Sequence, residues 1–231
     1  MQDFITKELT KQPSPTLVAQ LARLHIETIK DGFLSSLGEP LLRELYGAIV
    51  ASRHAFIHVA LDLDRRTAPP VGFIVGSVNT RGVYWDFLRT SAIRGGWLLL
   101  PRMGSIQTIK RVVETLLYPR ERNPERNLPR AEILNFCVSP RAQRKGVGAT
   151  LFAEMTATFE RKGIRQIKIV TGESQVSARR FYEKCGAKQI HEIEVHEGEK
   201  SIVYLFNIEE FGGPERSRRV HGGSELSNMK G

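Results

Sequence analysis

Asn135-Phe-Cys-Val-Ser-Pro-Arg-Ala-Gln-Arg-Lys-Gly-Val-Gly148, continued by Ala149-Thr-Leu-Phe152, decides how the rest of the chain is read. An apolar run ends at Pro140, a basic turn with two glycines follows, and a helical pattern starts with no polar spacer. A glycine turn that opens a helix leaves backbone N–H groups unpaired, and such groups bind phosphate. Arg141, Arg144 and Lys145 stand among those donors, so this stretch reads as a polyphosphate site.

Working outward, 131–138 reads as a strand and 146–161 as a helix with Leu151, Met155 and Phe159 on one face. Lys162-Gly163 supplies a glycine C-cap, and 165–170 is a second strand. Strand, helix, strand at this spacing is a βαβ unit, whose crossover forces parallel pairing. A helix capped by Ser174 or Ser177 then runs to Lys184, and 187–195 with 201–208 forms a closing hairpin. Toward the N-terminus, 4–9 is a strand, and Ser14 caps a helix over 16–28 with Pro15 at its first position. A loop over 31–38, a helix over 39–52 and a hairpin of 55–61 with 71–78 follow. Gly72 and Gly76 mark a bulge or close packing on the second hairpin strand. The 83–91 and 105–118 segments read as helical, forming an insertion over about 80–129 that closes in an exposed connection. One domain over 1–210 and a disordered tail over 211–231 are expected.

Composition narrows the function. Of the 231 residues, 34 are Lys or Arg and 25 Asp or Glu, a net charge of +9. Ten basic against four acidic residues in 81–130 supply much of that excess, without the interleaved aromatics of a nucleic-acid surface. An anionic small molecule is the better use of the charge. No apolar run is long enough to span a membrane, the chain start does not read as a secretory signal, and two cysteines make no disulfide framework. A cytoplasmic monomer or homodimer, with neither nucleic-acid nor membrane partners, is the expectation. The six histidines show no metal-ligand pattern. Neither a three-glycine dinucleotide fingerprint nor a Gly-Lys-Ser/Thr loop is present.

A second motif, Val176-Ser-Ala-Arg-Arg-Phe-Tyr-Glu-Lys-Cys-Gly-Ala187, follows the second strand of the βαβ unit. With it, the chain resembles the GNAT superfamily of acetyl-CoA-dependent N-acyltransferases, closely over 131–208 and more loosely over 4–78. The resemblance implies an α/β (α+β) fold: a mixed, strongly twisted sheet of six to seven strands with helices on both faces. It further implies a V-shaped opening between the 131–138 and 165–170 strands, where acetyl-CoA lies. Backbone groups near Phe136, Cys137 and Val138 would pair with the pantetheine arm at a bulge, the N–H of Val138 serving the thioester carbonyl. The backbone of Gln143, Arg144, Lys145, Gly146, Val147, Gly148 and Ala149 would hold the pyrophosphate, with Arg141 and Arg144 as auxiliary cations. Ser177, where family members often place Asn, and Arg180 complete the implied cofactor set.

Tyr182 is the expected proton donor to the leaving thiolate, with Phe181 turned to the core and Tyr182 to the cofactor. Glu132 and Glu173 are the alternative bases, each weighed against a solvated acid, with water alone as the base if the amine arrives deprotonated. On a regular strand Glu132 and Asn135 face opposite ways. Cys137 reads as a packed strand residue rather than a nucleophile, and His25 as a buried histidine or a residue of the acceptor side. The expected activity is direct acetyl transfer to a primary amine of a small molecule, such as an amino sugar, polyamine or amino acid. The alternative is a noncatalytic acyl-CoA sensor on the same fold.

Overall fold

The computed structural model describes residues 4–9, 12–30, 33–36, 38–63, 69–93, 128–196 and 199–211. The expected 105–118 helix, most of the exposed connection that follows it and the tail from 212 lie outside the described residues. Among the described residues seven strands form one sheet: β1 Phe4–Glu8, β2 Ala55–Asp62, β3 Gly72–Ser77, β4 Glu132–Val138, β5 Gln166–Gly172, β6 Lys188–His196 and β7 Glu199–Asn207. Their order is β1-β2-β3-β4-β5-β7-β6. Every pairing is antiparallel except β4 with β5, the pair that the helical crossover makes parallel.

The helices divide between the two faces. On one lie α5 (Val147–Arg161), α6 (Val176–Lys184) and α7 (Ile208–Phe211), around Leu151, Phe152, Met155, Phe159 and Phe206. On the other lie α1 (Pro15–Thr28), α3 (Gly38–Ala51) and α4 (Thr80–Ile93), around Leu21, Leu42, Tyr46, Ile57 and Phe73. The expected 31–38 loop contains the short helix α2 (Phe33–Ser36). Ser14 caps α1 as expected, its hydroxyl accepting from the Leu17 N–H at 3.2 Å. Phe211 packs on Phe152, with ring centroids 5.6 Å apart, so the core runs one residue past the expected domain end.

Two glycines of β3 set how closely α5 approaches. A Cβ on Gly76 would stand 2.5 Å from Met155 Sδ and 2.7 Å from the Phe56 ring, and one on Gly72 3.1 Å from Leu151. Both positions are therefore close packing. The bulge lies across the pair, on β4. Val75 pairs with Asn135 but Gly76 with Ile133, which leaves one extra β4 residue at this point.

That bulge corrects the expected facing of β4. Ile133 packs in the α5 face and Leu134 against the opposite one. Beyond the extra residue the order is reset, with Phe136 and Val138 in the α5 face and Cys137 in the other. Asn135 therefore shares the α1/α3/α4 face with Glu132, where a regular strand would separate them.

Candidate active site

The parallel pair closes only at its start. Glu132 is in register with Lys168 and Ile133 with Ile169, and the Lys168 N–H donates to the Ala131 carbonyl at 3.0 Å. Further along, β4 keeps its partner on the β3 side alone. The Ser139 N–H donates to the Val71 carbonyl at 2.9 Å, and Phe73 opposes Cys137. Alternation then aims the backbone groups of Cys137 at β3 and those of Phe136 and Val138 into the gap toward β5. Of these, the Val138 carbonyl accepts from the Gln143 side chain at 3.1 Å. Phe136 and the Val138 N–H face the opening.

At the mouth of the gap, Pro140–Ala142 forms a 3₁₀ turn, and the chain then enters α5 through two left-handed residues, Arg144 (φ 60°) and Gly146 (φ 84°). Gly146 is the N-cap and has no side chain to satisfy the first N–H groups of α5. Arg141, Gln143, Arg144 and Lys145 are exposed around these donors, whereas Val147 is buried beneath Gly72. A Cβ on Gly148 would lie 3.6 Å from Phe136, 3.8 Å from Val138 and 3.9 Å from Phe181. Those are ordinary contacts, so the packing of the protein itself does not demand glycine there. Gly148 instead leaves a cradle between the free strand backbone and the uncapped helix amides, with Ala149 and its own free N–H next in line. These features fit a pyrophosphate carrying an extended arm, as acetyl-CoA does.

Across the gap, α6 brings Phe181 and Tyr182 against β4, their rings 5.5 and 6.4 Å from that of Phe136. Their burial reverses the expectation. Tyr182 is the buried ring, set among Phe136, Phe152 and Tyr204, while Phe181 is half-buried beside Gly148. Burial first, then the neighbouring thiols of Cys137 and Cys185, raises the Tyr182 hydroxyl above the usual phenol range. It therefore stays protonated at neutral pH. Cys137 belongs to the packing of the opposite face. Burial pushes its thiol up to about 12, partly offset by a hydrogen bond with Thr28. A thiol of that kind is a poor nucleophile, and its backbone is turned to β3, so Cys137 is not part of the gap lining.

The two carboxylates differ. Glu132 is largely buried: its Oε2 accepts from Thr80 Oγ1 at 2.9 Å and lies 3.4 Å from Lys168 Nζ. Glu173 is exposed, and its backbone holds a turn, its N–H donating to the Lys200 carbonyl and its carbonyl accepting from Arg179. Neither expected serine caps α6. Its N-cap is Gln175, whose side chain accepts from Thr171, and Ser177 lies exposed in the first turn. Arg180 is exposed as well, while its neighbour Arg179 is tied to Tyr204.

His25 is buried, its Nδ1 2.6 Å from the Tyr46 hydroxyl and its Nε2 without a hydrogen-bond partner. Burial lowers it to about 4, so it is neutral at pH 7. The contacts of Glu132 with Thr80 and Lys168, and of His25 with Tyr46, carry no signal in the sequence, because their partners come from separate elements. Among the described residues no group of His, Cys, Asp or Glu could hold a metal ion, and no helix is long and apolar enough to cross a membrane.

This splayed strand pair with an uncapped helix at its mouth is the architecture of an acyl-CoA N-acyltransferase fold. Residues 105–187 match the family described as Acetyltransferase (GNAT) family, a span that includes both motifs. The fold is shared with Ard1 from Thermoplasma volcanium: 16% identity, 89% of this chain and 97% of that one covered, TM-score 0.54. It is shared with Arabidopsis thaliana NAA60, solved with acetyl-CoA, at 11% identity, 89% and 99% coverage and a TM-score of 0.54. The ribosomal-protein-S18-alanine N-acetyltransferase from Escherichia coli is similar at 11% identity, 88% and 94% coverage and a TM-score of 0.51. No curated protein matches the sequence. The match over 105–187 makes that part of the chain similar to the GNAT family, and the solved structures share its fold.

Proposed function

We propose that the protein transfers an acetyl group from acetyl-CoA directly to a primary amine. The observation that carries this reading is the meeting of three features at one gap. These are the inward-facing backbone of Phe136 and Val138, the uncapped start of α5 beside Gly148, and Tyr182 packed across from them. Acetyl-CoA supplies the activated thioester. The α5 amides and Arg141, Arg144 and Lys145 bind its phosphates, while Phe136 and Val138 align its arm. The Val138 N–H donates to the thioester oxygen as negative charge grows there. Glu132 takes the proton released by the attacking nitrogen, and Tyr182 gives one to the departing sulfur. The new C–N bond replaces the C–S bond, and the proton passed to Glu132 returns through solvent to reset Tyr182. Exposed Glu173 has no comparable holding contacts, so Glu132 is the preferred base.

The acceptor is a small molecule carrying a primary amine, and a peptide amine is the comparison to include. One named structural relative acetylates a ribosomal-protein alanine, and another is solved with a Gag peptide and CoA. The test is release of free CoA from acetyl-CoA with spermidine, glucosamine, lysine and a short peptide bearing a free amino terminus. Acceptor-dependent release supports transfer. Tight acetyl-CoA binding with no release across these acceptors would instead assign the gap to a sensor.

A further inference from the structure

Thr80 and Lys168 come from elements far from β4 in sequence, yet both meet the same oxygen of Glu132. The Lys168 and Glu132 side chains are only 15% and 13% exposed, so water screens the pair weakly. Their positions are also the first register pair of β4 with β5, beside the point where the gap opens. The other oxygen, Oε1, takes no hydrogen bond from the described residues. It lies on the face that the β4 bulge gives to Asn135, whose side chain is likewise without a hydrogen bond among the described residues. From α4 the groups facing Glu132 are Thr80 and Tyr84, and from β5 Lys168. On β3 the register partner is Ser77, whose hydroxyl is spent on the His54 carbonyl and the Asn79 N–H.

We infer that Thr80 and Lys168 are positioning residues: they clamp Glu132 Oε2 so that Oε1 is presented to the acceptor nitrogen. The inference rests on the acetyl-transfer reading. A carboxylate held by both oxygens would have to break a contact before accepting a proton, whereas one held by a single oxygen keeps the other for the incoming amine. Lys168 brings its ammonium to 3.4 Å from Oε2. The hydroxyl of Thr80 fixes the rotamer without adding charge. The two residues therefore have separable effects.

The experiment measures pH profiles of kcat/KM for wild type, Lys168→Met, Lys168→Arg and Thr80→Val. The acceptor is whichever of spermidine, glucosamine, lysine or the free-amino-terminus peptide turns over. Lys168→Met should move the acidic limb up, and Lys168→Arg should restore it. Thr80→Val should lower kcat about tenfold with the limb nearly in place and acetyl-CoA affinity unchanged. A residue that only supports the fold would change activity evenly across pH. Should Lys168→Met fail to fold, Thr80→Val still decides. Wild-type kcat in Thr80→Val, or an unmoved limb in a folded Lys168→Met, overturns the clamp while leaving acetyl transfer standing. Absence of acceptor-dependent CoA release in the wild type itself overturns the transfer reading and the clamp with it.

Discussion

Gly148→Ala separates folding from cofactor binding. The added Cβ would meet Phe136, Val138 and Phe181 at 3.6, 3.8 and 3.9 Å, so no neighbour has to move. Gly148 is a helical residue without a positive φ, and alanine there is favourable by up to about 1 kcal/mol. The variant should therefore melt at or slightly above the wild-type temperature in the absence of ligand. The same methyl group occupies the cradle between the α5 amides and the β4 backbone, and we expect acetyl-CoA affinity to fall about 100-fold. At a ligand concentration about 100 times the wild-type Kd, binding stabilises the wild type by about 2.7 kcal/mol. A hundredfold weaker Kd reduces that to about 0.4 kcal/mol. At roughly 2–4 °C per kcal/mol for a domain of this size, the ligand-induced rise should shrink from about 5–11 °C to about 1 °C. Thermal melts with and without acetyl-CoA, backed by calorimetry, read both effects. Wild-type acetyl-CoA affinity in Gly148→Ala would refute the placement of the phosphates on the α5 start. Gly146→Ala is the contrasting control, because its φ of 84° strains any side chain and should cost about 1–2 kcal/mol without ligand.

Tyr182→Phe should keep acetyl-CoA affinity and lower turnover about 10–100-fold, measured as acceptor-dependent CoA release. Unchanged turnover would remove Tyr182 from the chemistry. His25 gives a pH signature of stability rather than of rate. The unfolded chain takes up a proton near 6.5 but the folded one only at about 4, so this contribution is complete above 6.5. It is lost as pH falls from there to about 4, amounting to about 3 kcal/mol. Denaturant titrations at pH 7 and pH 4 should show a smaller acid loss for His25→Gln than for wild type by that order. Equal losses would mean that His25 is not held neutral.

Much of the sheet could be read before any coordinates, because each element carries its own local signal. Ser14-Pro15 starts a helix, Lys162-Gly163 ends one, and the apolar runs around the basic turn give strand, helix, strand. The α6 cap was less legible, since two serines offered themselves and the chain used Gln175, whose side chain serves Thr171 instead. Which of Phe181 and Tyr182 is buried could not be read from adjacency either. A helix fixes the angle between neighbouring side chains, but not which of them meets the sheet.

The sequence by itself determined the βαβ unit, the basic glycine turn at 141–149 and the resemblance that links them to an acyl-CoA fold, since these depend on spacing along one stretch of chain. Tertiary structure alone decided how the site is assembled. The β4 bulge turned Glu132 and Asn135 to one face, the short β4–β5 register fixed where the gap opens, and Thr80 and Lys168 met on one carboxylate oxygen. Pairing register and contacts between distant elements are set by packing of the whole sheet against its helices, and no local pattern of residues encodes them.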